Sequence, residues 1–126
     1  MTYTLAEQKK HRADLVAALR SGKYAQITGS LHTTEGYCCL GVACEISGTE
    51  WGEDTYKKGY YAADHGSSAR MGLKQKDYFG FISLSGSFDN GQSSLMDLND
   101  EKRYTFEQIA DVIESEPIGL FENADE

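Results

Sequence analysis

Apolar positions along the chain repeat with helical spacing in two places and support a helix in a third. Cys39, Val42, Ala43 and Ile46 fall at i, i+3, i+4 and i+7, with Leu40 and Cys44 as a second strip. That is a helix apolar nearly all round, which predicts a central, buried element. Ser47-Gly48 would close it, and Gly41 suits a close approach by a neighbouring backbone. Phe106, Ile109, Ala110 and Ile113 repeat the same spacing behind Thr105-Phe106-Glu107-Gln108, a capping box, and Pro117 stops that helix at Glu116. A first helix is predicted over residues 5–21. Thr4-Leu5-Ala6-Glu7 is its capping box, Leu15, Val16 and Leu19 its apolar positions, and Ser21-Gly22 its stop.

Between the helices the pattern is shorter in range. Tyr24–Leu31 reads as a strand broken at Gly29-Ser30, with Thr33-Thr34-Glu35-Gly36 turning the chain back toward Tyr37. Residues 48–76 show no period, and Tyr78–Leu84, apolar on both faces, reads as an interior strand. Asp89-Asn90-Gly91 is a hairpin signal, and Leu95, Met96 and Leu98 make a helical turn ending at Asn99-Asp100. The predicted fold is a single compact α+β domain over residues 1–126. It has an N-terminal helix, a central buried helix and a C-terminal helix packed on a small antiparallel sheet. Residues 48–76 form a variable, loop-rich insertion and 117–126 a C-terminal tail.

Composition agrees with one packed domain. The chain has 126 residues, is 40% hydrophobic and carries 14 aromatics, enough apolar surface to offset the entropy of ordering. No window approaches the ~20 apolar residues of a membrane span, so no membrane contact is expected. The opening residues lack the basic and apolar regions of a signal peptide, and three cysteines, two of them adjacent, do not suit a secreted disulfide framework. A cytoplasmic protein is expected. The net charge of −8 is uneven: residues 1–23 carry five Lys/Arg and two Asp/Glu, whereas residues 99–126 carry two and nine. An acidic balance opposes non-specific nucleic-acid binding, which depends on clustered bases at phosphates. It leaves room for an acidic face on a basic partner and for a homo-oligomer.

Few residues point to chemistry. His32, Cys38, Cys39 and Cys44 are the only cluster with metal-ligand types, but zinc sites favour Cys-x2–4-Cys knuckles, and adjacent cysteines on a helix diverge. No metal or other cofactor is predicted, and the thiols read as small buried apolar groups. The three histidines have no nucleophile-elbow or Cys/His signature around them, and no Gly-rich stretch matches a dinucleotide or Walker loop. Asp97, Asn99 and Glu101 alternate like calcium ligands, yet position six is Lys102 and position twelve Gln108, so the loop fails as a calcium site. The polar middle is more suggestive. Trp51, Tyr56, Tyr60 and Tyr61 lie beside Lys57 and Lys58, with His65 and Arg70 following. Such a mixture suits stacking on a base and contact with a phosphate. Asn99 and Asp100 are a further polar pair available to a ligand.

Two blocks together carry a resemblance: Gly36-Tyr37-Cys38-Cys39-Leu40-Gly41-Val42-Ala43-Cys44, and Leu95-Met96-Asp97-Leu98-Asn99-Asp100 followed by Thr105 to Glu114. They resemble a family of small, largely uncharacterised bacteriophage and prophage proteins. Members also carry a Leu-Arg-Ser-Gly-Lys-Tyr-like stretch, here Leu19 to Tyr24. The resemblance implies a phage-encoded accessory protein and brings no catalytic residues with it. By analogy it favours a non-enzymatic, counter-defence or host-takeover inhibitor, which either occupies a host protein or sequesters a nucleotide-like immune signal. Two alternatives stand beside it. One is a small hydrolase or nuclease using His65, Asp64, Asn99 and Asp100; the other is an acidic protein-interaction domain.

Overall fold

The structure is a computed structural model that describes residues 3–54, 56–63 and 70–122. It is a single compact α+β domain with five helices and a small antiparallel sheet. Helix α1 (Leu5–Arg20) begins at the predicted capping box: Thr4 Oγ1 accepts from Glu7 N, and Glu7 Oε1 accepts from Thr4 N at 2.8 Å. Strands β1 (His32–Thr33) and β2 (Gly36–Tyr37) form the expected hairpin. Helix α2 (Cys39–Ile46) follows, buried throughout Cys39 to Cys44.

The stretch from residue 48 onward is more regular than its composition suggested. Strands β3 (Trp51–Glu53) and β4 (Tyr60–Ala63) form a second hairpin. The two hairpins join in one antiparallel sheet of order β2-β1-β4-β3. Helix α3 (Leu73–Phe79) then occupies much of what was expected to be a strand over Tyr78–Leu84. Local signals fix it: Gln75 Oε1 accepts from Gly72 N at its start, and Gly80 ends it at φ 80, a left-handed conformation that glycine takes cheaply. The expected strand Tyr24–Leu31 is likewise mostly irregular, with a single bridge from Gln26 to Tyr37. Its backbone is held instead by Ile27 N to Tyr37 O (2.9 Å) and Tyr37 N to Ala25 O (2.8 Å).

Strands β5 (Ser87–Phe88) and β6 (Ser93–Ser94) flank the Asp89-Asn90-Gly91 turn, whose three residues all have positive φ. Helix α4 (Leu95–Asp100) and helix α5 (Phe106–Ser115) complete the domain, and α5 lies chiefly along α1. The C-terminal segment is not a tail as far as Glu122: Leu120 and Phe121 are buried, and Phe121 bridges and stacks on Phe81 at 4.8 Å.

One polar stripe of α1 is part of the interior. Gln8, His11 and Arg12, at i, i+3 and i+4, bond the carbonyls of Asp77, Tyr78 and Phe79 at 2.9, 2.7 and 2.6 Å. These are end-of-helix carbonyls of α3, which lack partners within their own helix. Among the described residues no helix is long and apolar enough to cross a membrane.

Candidate functional site

The residues nominated in the polar middle divide between two faces of the sheet, because side chains alternate along a strand. Tyr37, His32 and Tyr61 are cross-strand partners on β2, β1 and β4 and form a continuous stack. His32 lies 4.0 Å from Tyr37, nearly parallel, and 5.0 Å from Tyr61. Tyr24 meets the row edge-on at Tyr37, and Trp51 lies 4.9 Å from His32. His32 Nδ1 is 2.8 Å from Gly36 O; a carbonyl only accepts, so the proton sits on Nδ1. Both faces of His32 are thus covered, and Trp51 Nε1 is buried without a partner among the described residues. Rings that stack on one another in this way support the sheet.

Tyr60 projects to the opposite face with its partner Thr33. There a cleft of about 470 Å³ opens between three segments: Ile27 and Thr28, the β1–β2 turn with Thr34 and Glu35, and Lys58 to Tyr60. Lys57 Nζ lies over the Tyr60 ring at 4.4 Å, a cation–π contact that orients the ring. The hairpin bearing these groups is braced from within. Glu53 Oε2 accepts from Gly59 N (2.8 Å), and Asp54 Oδ1 accepts from Tyr56 N and Lys57 N. Thr34 N donates to Gly59 O at 3.1 Å, tying the two hairpins together. Tyr56, at the tip, is 97% exposed.

Asn99 and Asp100 act from behind the cleft. Asn99 is fully buried; its Oδ1 accepts from Gln26 Nε2 (2.9 Å) and Cys39 N (3.2 Å), and its Nδ2 donates to Ile27 O (2.8 Å) and to Asp100 Oδ1. Asp100 Oδ1 also accepts from Gly29 N at 3.0 Å. The pair therefore clamps the 26–29 loop, one wall of the cleft, onto the first turn of α2. A second, smaller cleft of about 220 Å³ lies on the far side of that loop, lined by Gln26, Thr28, Asn99, Arg103, Tyr104 and Thr105.

Arg70 is exposed and lines neither cleft. Asp64 and His65 lie outside the described residues, so the hydrolase constellation has only Asn99 and Asp100 placed. The lining residues Thr28, Thr33, Thr34 and Glu35 carried no ligand signal in the sequence beyond that of a turn.

The thiols are closed to chemistry. Cys38 caps α2 by accepting from Gly41 N at 3.4 Å, and burial pushes its thiol up to about 12. Cys39 Sγ lies 3.5 Å from Leu95 O, and its thiol is raised by the same cause. A thiol held neutral is a poor nucleophile and a poor metal ligand. Among the described residues no three His, Cys, Asp or Glu side chains gather as a metal site.

No curated protein and no solved structure matches the chain. A family model described as a domain of unknown function, DUF8296, matches residues 7–117, and the chain belongs to that family.

Proposed function

We propose that this is a small phage-encoded accessory protein that acts by binding, holding a nucleotide-like ligand in the cleft between the 26–29 loop and the β3–β4 hairpin. The observation that carries the reading is the cleft: about 470 Å³, within the usual range of small-molecule sites, and walled by segments whose backbones are fixed by side-chain clamps. Tyr60 offers an aromatic face, Lys58 a cation for a phosphate, and Thr28, Thr33 and Thr34 hydroxyls for a sugar or base edge. Preorganised walls favour retention of a ligand, because little ordering entropy is lost on binding. The histidines at 11 and 32 are committed through Nδ1 to backbone carbonyls, and Asn99 and Asp100 to the loop. Among the described residues no histidine lines the cleft, and its walls present recognition groups. The phage resemblance and the acidic, compact character of the chain fit sequestration in a host cell.

Calorimetric titration of adenosine 5′-monophosphate tests this directly. Saturable binding without turnover is expected. Lys58→Ala and Tyr60→Ala should each weaken it by about tenfold or more, the size of one lost charged or stacking contact. A second reading, inhibition of a host protein through the hairpin tip, is favoured by Tyr56, since a rigidly presented tyrosine is a common binding hot spot. Retention of a host protein that Tyr56→Ala abolishes and Tyr60→Ala leaves intact would move the function to that surface.

A further inference from the structure

The two clefts flank one loop. They meet at Thr28, which lines both, and they repeat one set of groups. The larger has Tyr60 and Lys58; the smaller has Tyr104 and Arg103, while its Thr105 hydroxyl is taken up by the α5 capping box. Among the described residues neither Lys58 nor Arg103 forms an ion pair, although the chain carries 20 acidic side chains against 12 Lys and Arg. Two cations without ion pairs thus stand on either side of the loop that carries Thr28, where an anionic ligand would find complementary charge.

The wall between the clefts sets their spacing. Gln26 Nε2 donates to Asn99 Oδ1 and to Tyr104 O at 2.8 Å, fastening the loop to the α4–α5 link. Arg103 is itself held in the left-handed region at φ 55, with Tyr104 N bonded to Leu98 O at 2.8 Å. A carboxylate, Glu35, also lines the larger cleft; it repels a bare anion but accepts hydrogen bonds from an exocyclic amine or a sugar hydroxyl. A ligand with planar, amine-bearing groups joined through phosphates satisfies all of these groups at once, and inorganic anions do not.

We infer that the ligand is a dinucleotide that spans both clefts, with one phosphate at Lys58, a second at Arg103 and one base on each tyrosine. This rests on the binding reading given above and extends it to a second subsite.

The experiment compares adenosine 5′-monophosphate, the 5′-phosphorylated dinucleotide pApA and a deoxyadenosine decamer by calorimetry on the full chain. The expected result is pApA binding at least ~10-fold tighter than the mononucleotide, as linked contacts on a fixed site give. Arg103→Ala should erase that gain and leave mononucleotide affinity unchanged, and Arg103→Lys should restore part of it. Arg103 is exposed, so these variants should keep the parent unfolding temperature. Equal affinity for the two nucleotides, or a silent Arg103→Ala, overturns the second subsite and leaves the single-cleft reading standing. Absence of binding by either overturns both. A decamer bound far more tightly than pApA indicates an open polynucleotide track and overturns the two-subsite ligand.

Discussion

Gly41 sits where the α2 backbone crosses residue 31. A Cβ there would overlap Leu31 O and come within 2.8 Å of Leu31 C. That carbonyl cannot swing away cheaply, because it accepts from Cys38 N at 3.0 Å. Gly41→Ala is therefore expected to destabilise the fold by about 2–3 kcal/mol, as overpacking does. Gly52→Ala, with nothing within 4 Å of the new Cβ and no positive φ, should stay within about 0.5 kcal/mol of the parent. Urea unfolding midpoints check both. The neighbouring thiols give a second prediction. Cys38 is neutral in the fold until about pH 12 and in the unfolded chain until about its ordinary value of 9.0. The unfolded chain thus loses its proton first, so stability is intact below pH 9 and falls as pH rises from there toward 12. Iodoacetamide labelling at pH 8 should be slow in buffer and rapid in denaturant; fast native labelling would refute the burial argument. Burial of Cys39 and Cys44 was legible in the sequence, because the helical spacing from Cys39 is a local signal; Cys38 lies outside that spacing, as the N-cap residue of α2. The stripe at Gln8, His11 and Arg12 was not legible, since its partners lie 67 to 69 residues away.

At the scale of elements, local caps and turns were readable where the apolar spacing pointed to the same element, and were not where the spacing suited a strand as well as a helix. Both Thr capping boxes and the Asp89-Asn90-Gly91 turn appear where their residues predict. Residues 78–84 did not keep their strand pattern, because Gly72, Gln75 and Gly80 set a helix around Tyr78 and Phe79, whose apolar rings suit either state. The cleft is drawn from residues 27–28, 33–35 and 58–60, and no single window of sequence contains it. Its dependence on α4 leads to a third prediction. Asn99→Ala removes the partners of Ile27 O and Cys39 N, and one of the two partners of Gln26 Nε2. A cost of about 2–4 kcal/mol is expected, since buried polar groups left unpaired lose roughly 1–3 kcal/mol each. Hydrogen exchange should speed up first at Cys39, and at Gly29 if Asp100 loses its orientation along with Asn99. If stability holds while only ligand affinity falls, Asn99 is a ligand contact rather than the clamp described here.

Across the whole molecule, one buried arginine ties the chain's two ends together. Arg12, with only 5% of its side chain exposed, donates to Phe79 O, to Glu116 Oε1 at 2.9 Å and to Glu122 O at 3.1 Å, and lies 4.1 Å over the Phe121 ring. Glu116 reaches it from a left-handed residue at the end of α5. The following segment then packs along residues 80–89, sending Leu120 and Phe121 into the core. Ile82 N donates to Leu120 O, Glu122 N to Gly80 O, and Asp89 N to Ile118 O. Leu120 and Phe121 are 0% and 2% exposed. The family match, by contrast, ends at residue 117, so the matched region stops short of the folded unit. A chain cut after Pro117 would leave Phe81 uncovered, and the carbonyl of Gly80 and one arm of Arg12 without partners. Such burial defects are costly: loss of the Phe121 ring alone, as Phe121→Ala, should cost about 3–5 kcal/mol, much of the 5–15 kcal/mol that holds an ordinary domain together. The 1–117 piece should therefore unfold without a cooperative transition, or melt far below the full chain. Phe121→Ala should melt between the two, with its calorimetric and van't Hoff enthalpies still equal. A 1–117 piece that melts cooperatively at the parent temperature would show that residues 118–122 cover the core without stabilising it.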